Sequence, residues 1–148
     1  MKVYLDTCSL QRPLDSKTQL RIVLESEAVM GIIKLCETDE LQLMSSDVLV
    51  YETRRNPKSV RRKFGLKVLS EADEFIALDE KIEQRASWLE AHGIKPLDAL
   101  HLASAEIGNA DFFCTCDDKF LKRAKRLTDL NVQVVSPIEL IEVLEDDR

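Results

Sequence analysis

Five short apolar runs punctuate the chain: KVYL (2–5), LQLM (41–44), FIAL (75–78), DFFCT (111–115) and VQVV (132–135). Runs of this length, bounded by polar or turn-forming residues, read as strands. Between them the apolar positions recur at three- and four-residue spacing. Residues 17–37 carry Leu20, Val23, Leu24, Ala28, Ile32 and Leu35 in that rhythm, which predicts one long helix. SSDVLVYETRR opens on Ser and Asp, both good N-caps, and Pro57 follows its end. Residues 58–74 are amphipathic apart from Gly65, and DEKIEQRASWLEAHG runs from Asp79 to Gly93. PLDALHLASAEIG places Pro96 early and Gly108 late, the asymmetry expected of a helix. DDKFLKRAKRL and SPIELIEVLED complete the helices.

Strands and helices alternate to the end, and no tight hairpin signal joins two strands. The pattern predicts an α/β protein of three layers, α/β/α, around a five-stranded parallel sheet. The 148 residues show no repeat, linker or low-complexity segment, so a single domain over 1–148 is expected.

Composition narrows the function. Hydrophobic residues make up 45% and charged residues 32%, as in a water-soluble globular protein. The net charge of −6 excludes diffuse attraction to nucleic acid as the main binding force. Basic charge is instead local. RRNPKSVRRK (54–63) holds six Lys or Arg and KFLKRAKR (119–126) holds five, together 11 of the 21. No apolar run approaches the length of a membrane span. Met1 leads directly into a strand-like run with no leader pattern, so a cytoplasmic protein is expected. Cys8, Cys36, Cys114 and Cys116 include no CxxC and suit reduced, packed thiols.

Sites in an open parallel sheet form at the carboxyl ends of the strands, near the switch in strand order. Acids gather there. Asp6 follows the first strand, Asp79 the third, and Asp117 and Asp118 the fourth; Glu52 and Asp98 lie in helices that follow strands two and three. Each acid alone has an ordinary reading as a cap, a turn residue or a first-turn helix acid. Asp79 is read as the cap of its own helix. The set is less ordinary, because several carboxylates at one sheet edge repel one another unless a cation joins them or some stay protonated. Magnesium or manganese suits such oxygen ligands. His101, one turn after Asp98, is read as supporting Asp98 or packing. Thr7, Ser9 and Thr115 are hydroxyls able to orient a carboxylate.

VYLDTCSL, SSDVLVYE, PLDALHLASAE and FFCTCDDKF stand in an order that resembles the PIN domain nucleases, especially the VapC-type ribonucleases of toxin–antitoxin pairs. The likeness covers almost the whole chain. It implies metal-dependent cleavage of RNA, a homodimer and a small antitoxin as partner. It also implies that Asp6, Glu52, Asp98 and Asp117 are the catalytic, metal-binding set, with Asp118 capping its helix or contacting a second metal. Cys8 and Cys116 occupy positions where many members carry polar residues, and their strands are expected to be neighbours. Arg54, Arg55, Arg61, Arg62, Lys119 and Lys122 are expected to hold phosphates beside the acids. The competing reading is a PIN-like module that binds RNA or protein without cutting. A phosphorelay receiver fits less well, because only Asp6 follows the first strand.

Overall fold

Lys2–Leu5 forms β1, Gln42–Ser46 β2, Glu74–Ile76 β3, Phe112–Cys114 β4 and Gln133–Val135 β5. This is a computed structural model, and it describes residues 1–146. Asp147 and Arg148, the end of the acidic tail and of the expected 1–148 domain, lie outside the described residues. The strands join in the order β3-β2-β1-β4-β5, every pair parallel. Lys2 lies opposite Gln42 on one side of β1, and Val3 opposite Phe112 on the other. The chain therefore builds outward from β1 through β2 and β3, then crosses back to build β4 and β5. The reversal lies between β1 and β4.

Parallel neighbours need long crossovers, and helices supply them. They are α1 (Thr7–Gln11), α2 (Leu20–Glu37), α3 (Asp47–Arg54), α4 (Ser59–Ser70), α5 (Glu80–Ala91), α6 (Pro96–Ile107), α7 (Asp118–Lys125) and α8 (Pro137–Asp146), with a 3-10 turn at Arg12–Leu14. Val3, Tyr4 and Leu5 are all 0% exposed, so both faces of the central strand are covered, as a parallel sheet requires.

Three expectations are corrected. The apolar rhythm of 17–37 names Leu20 and Leu24, yet both are exposed, and Glu25, Ser26, Val29, Ile32 and Ile33 are buried instead. Polar contacts set this rotation. Arg12 and Arg21 reach Glu25 at 3.1 and 3.4 Å, and Ser26 Oγ donates to the Arg12 carbonyl at 2.9 Å. Secondly, the helix expected over 58–74 ends at Ser70. Asp73 is pulled into the sheet, its N–H donating to Leu43 O and its carboxylate accepting from Leu43 N–H at 2.8 Å. Thirdly, the turn expected after Asp6 is the short helix α1, begun by the Asp6 side chain.

Candidate active site

Asp6 ends β1. Its Oδ1 accepts from Ser9 N–H at 3.0 Å, which caps α1, and from Cys8 Sγ at 3.1 Å. The side chain is 7% exposed. Burial lifts its carboxyl well above the usual carboxylate range, against the pull of hydrogen bonds from Thr115 and Ser9. Thr115, just beyond β4, links two acids. It is hydrogen-bonded to Asp6, and its Oγ1 accepts the Asp117 N–H at 3.1 Å. The neighbouring strands β1 and β4 make this possible: the ladder continues past them, with Asp6 N–H donating to Cys114 O at 3.1 Å.

Asp117 is the cap of α7. Its Oδ1 accepts from the N–H groups of Lys119 at 3.1 Å and Phe120 at 3.2 Å, leaving Oδ2 without a hydrogen bond. Asp118 is committed elsewhere: Arg21 grips both its oxygens, at 2.6 and 2.9 Å. Asp79 caps α5 through Ile82 N–H at 2.9 Å, as the sequence predicts.

Glu52 reaches the site from α3. Its Oε1 accepts from Thr7 Oγ1 and from His101 Nε2, the latter at 3.0 Å; Oε2 takes no hydrogen bond. Burial disfavours the ionised form, but the bonds from His101 and Thr7 outweigh it and hold Glu52 below its ordinary value. Arg55, three residues on, does not pair with Glu52. Its guanidinium lies 5.2 Å from the centre of the Tyr51 ring.

Asp98 sits half-buried in the first turn of α6 and makes no hydrogen bond. It caps nothing; Lys95 occupies the cap position. Burial raises its carboxyl first, the charge of Asp117 raises it further, and Glu52 adds to this, while His101 and Lys95 oppose. Of the two roles expected for His101 the packing one holds: it is buried against Tyr4, and its hydrogen bond to a site acid goes to Glu52, not to Asp98. Thr7 and Thr115 hold acids as the sequence suggests. Ser9 acts through its backbone, because its hydroxyl donates to Cys114 O at 3.0 Å. Cys8, Cys36, Cys114 and Cys116 are all unbridged thiols, Cys8 and Cys116 included.

A cavity of about 120 Å³ opens beside Asp98 and Asp117, lined also by Lys95, Lys119 and Arg123. Of these cations the sequence pattern singles out only Lys119. Lys95 belongs to no charge run, and Arg123 is one member of the basic run at 119–126. Arg61 and Arg62 are occupied, Arg61 with Asp15 at 2.8 Å and Arg62 with Asn56 O at 2.9 Å. A second cavity, about 610 Å³, lies against α3 among Tyr51, Leu78, Leu97 and Leu100, and none of the five candidate acids lines it.

Among the described residues, no three His, Cys, Asp or Glu side chains close tightly enough to hold an ion as they stand. The chemistry of the donors nonetheless fits a hard divalent cation. All are carboxylates, Glu52 and Asp117 each keep one oxygen unbonded, and Asp98 is raised by burial and by its acidic neighbours Asp117 and Glu52.

A family model described as PIN domain matches residues 3–126. No curated protein matches the chain. Among solved structures, VapBC2 from Rickettsia felis, bound to a DNA fragment from its promoter, is similar with a TM-score of 0.61 and 17% identity, covering 92% of this chain and 98% of that one. DNA-bound VapBC from Salmonella typhimurium gives 0.61 at 14% identity, over 93% and 98%. The Mycobacterium tuberculosis toxin VapC20, described as cleaving the sarcin-ricin loop, gives 0.54 at 18% identity, over 80% and 92%. At such identities the likeness speaks for the fold alone. Among the described residues no helix is long and apolar enough to cross a membrane.

Proposed function

The chain belongs to the PIN domain family, and on that premise we propose that it is a metal-dependent endoribonuclease, the toxin of a toxin–antitoxin pair. The observation that carries this reading is Asp98, a half-buried carboxylate with no hydrogen-bond partner, its ionisation opposed by burial and by Asp117. A structural acid would be capped, paired or exposed. This one is half-buried on a helix whose Ala99, Leu102 and Ala103 are fully buried, and no hydrogen bond holds its carboxylate.

Asp6, Glu52, Asp98 and Asp117 would hold the ion, Mg²⁺ or Mn²⁺. When bound, such an ion supplies the positive charge that phosphodiester hydrolysis requires. The chain's own residues do the rest. Thr7, Ser9 and Thr115 fix the acids before any ion arrives. Lys119 and Lys95 offer positive charge to a phosphate beside Asp98 and Asp117. Asp118, already gripped by Arg21, stands outside this set unless Arg21 lets go.

The test is cleavage of RNA with millimolar Mn²⁺ by the parent and by Asp98→Asn and Asp6→Asn. Cleavage by the parent alone, with all three proteins folded, is the expected result. Equal cleavage by all three overturns the assignment of the acids. An RNA-binding parent that never cuts points to the non-catalytic module instead. The remaining elements of the reading are a small antitoxin, a homodimer and a cytoplasmic location. They are supported by the family and tested by co-purification with the product of the adjacent gene and by sedimentation of the chain alone.

A further inference from the structure

Tyr4 lies in the middle of β1 and is 0% exposed. Its Oη is 2.8 Å from Ser46 Oγ and 2.7 Å from His101 Nδ1. His101 is itself buried, and its other nitrogen, Nε2, is 3.0 Å from Glu52 Oε1. Four residues from β1, β2, α3 and α6 thus form one chain of hydrogen bonds that ends on a site acid.

The direction of that chain follows from counting protons. Ser46 Oγ already accepts the Leu49 N–H at 3.1 Å as the cap of α3. Ser46 is 0% exposed, and the acceptor within reach of its hydroxyl proton is Tyr4 Oη. Tyr4 then gives its own proton to His101 Nδ1. That nitrogen must be bare, and the ring proton sits on Nε2, aimed at the Glu52 carboxylate. Reversing the chain makes Tyr4 donate to Ser46, which strands the Ser46 proton in the core. It also turns a lone pair of Nε2 toward a carboxylate when the ring is neutral. A doubly protonated ring strands the same Ser46 proton. Buried polar hydrogens are almost always paired, so only one direction leaves nothing unsatisfied.

We infer that His101 is a positioning residue, locked by Tyr4 and Ser46 as the Nε2–H tautomer, and that it holds Glu52 by Oε1 so that Oε2 stays available to a ligand. This rests on the reading of Glu52 as a site acid. The arrangement has the form seen around many metal sites, where an outer donor fixes the ligating carboxylate, and loss of such a donor commonly costs about 10–100-fold in metal affinity.

The tautomer is measured on the metal-free full chain by long-range ¹H–¹⁵N correlation of the His101 ring. The expected spectrum has Nε2 protonated and Nδ1 bare, and in Tyr4→Phe the Nδ1 resonance moves because its donor is gone. Phe at position 4 keeps the stacking on Phe113, now 5.1 Å between ring centres, so this variant retains its packing. A ring protonated at Nδ1, a doubly protonated ring, or an Nδ1 signal unmoved in Tyr4→Phe overturns the inference. Mn²⁺ affinity is then compared among folded proteins. Tyr4→Phe and His101→Ala are expected to bind more weakly by roughly 10–100-fold, with His101→Gln, which keeps an N–H near Nε2, partly restoring it. Equal affinity in all four proteins overturns the positioning role. A parent that shows the expected tautomer but binds no Mn²⁺ refutes the metal reading of the site and leaves the tautomer assignment standing, so the two failures are distinguishable.

Discussion

Arg21 grips Asp118 in a fork, Nη1 to Oδ2 at 2.6 Å and Nη2 to Oδ1 at 2.9 Å, and Nη2 also donates to the Cys116 carbonyl at 3.0 Å. The fork separates two adjacent acids by role. Asp117 turns one oxygen into its helix and keeps the other unbonded, whereas Asp118 has both oxygens engaged.

Asp118→Asn should therefore change little. Both partners are about half exposed, so the lost pair is worth roughly 0–1 kcal/mol, and thermal denaturation should register a small shift at most. RNA cleavage in Mn²⁺ should fall less than about tenfold, while Asp117→Asn should lose more than the roughly 10–100-fold that a supporting residue costs. A comparable loss in both would make Asp118 a member of the metal set.

Asp6 makes a prediction about pH. Its folded value lies well above that of the unfolded chain, so the folded state binds the extra proton between the two values. Stability of the metal-free protein contributed by Asp6 is thus greatest below the unfolded value, about 3.9, and falls as pH rises through the folded one. Asp98 acts in the same sense. Glu52, held low, acts oppositely: its contribution is present above the unfolded value and is lost as pH falls through the folded one. At neutral pH Asp6→Asn should raise Tm without metal, since Asn also caps α1, with each kcal/mol recovered worth roughly 2–4 °C. The same variant should lose the Tm gain that Mn²⁺ brings to the parent. An unchanged or lower Tm without metal would show that the carboxylate is not held at a cost.

The strands are legible in the sequence because a sheet buried on both faces demands continuous apolar runs, and Val3, Tyr4 and Leu5 of β1 make one. The acids at the strand ends are legible for a related reason: polar residues directly after such runs have few places to go. Pairing between distant side chains is not legible. Nothing in Tyr4, in an apolar strand, announces a hydroxyl bonded to His101, 97 residues away. The rotation of α2 is hidden likewise, because it depends on Arg12 meeting Glu25 across a turn whose path the spacing does not encode.

The cations show the same limit and yield a further prediction. Charge runs mark Arg61 and Lys119 alike, yet Arg61 is tied to Asp15 and to Leu14 O at 3.1 Å, while Lys119 lines the cavity beside Asp98 and Asp117. In a cleavage-dead Asp6→Asn background, Lys95→Ala and Lys119→Ala should each weaken binding of single-stranded RNA. Each should also reduce the slope of log affinity against log salt by about 0.7, the share of one phosphate contact. Arg61→Ala should leave that slope unchanged. Titrations at several salt concentrations decide it, and equal slopes for all three variants would remove the cavity from the binding surface.

Two glycines inside helices should respond to alanine in opposite directions. At Gly65 an added Cβ would stand 2.7 Å from Thr53 Cγ2 and 2.9 Å from Gln11 Nε2. Both neighbours are buried, so neither swings aside into solvent. Gly65→Ala should push α4 away from α1 and α3 and destabilise by about 1–3 kcal/mol, the ordinary penalty of overpacking. At Gly31 nothing lies within 4 Å of the added atom, and the backbone is helical. There the alanine should stabilise by roughly 0.5–1 kcal/mol, because only the entropy of the unfolded chain changes. Urea denaturation of both variants reads the contrast. The consequence for function is also unequal. α1 carries Thr7 and α3 carries Glu52, the two ends of one hydrogen bond, so parting the helices around Gly65 should loosen that acid and lower cleavage in the surviving folded protein. Gly31→Ala should leave cleavage unchanged, and a fall there would reveal a dependence of the site on α2 beyond Arg21.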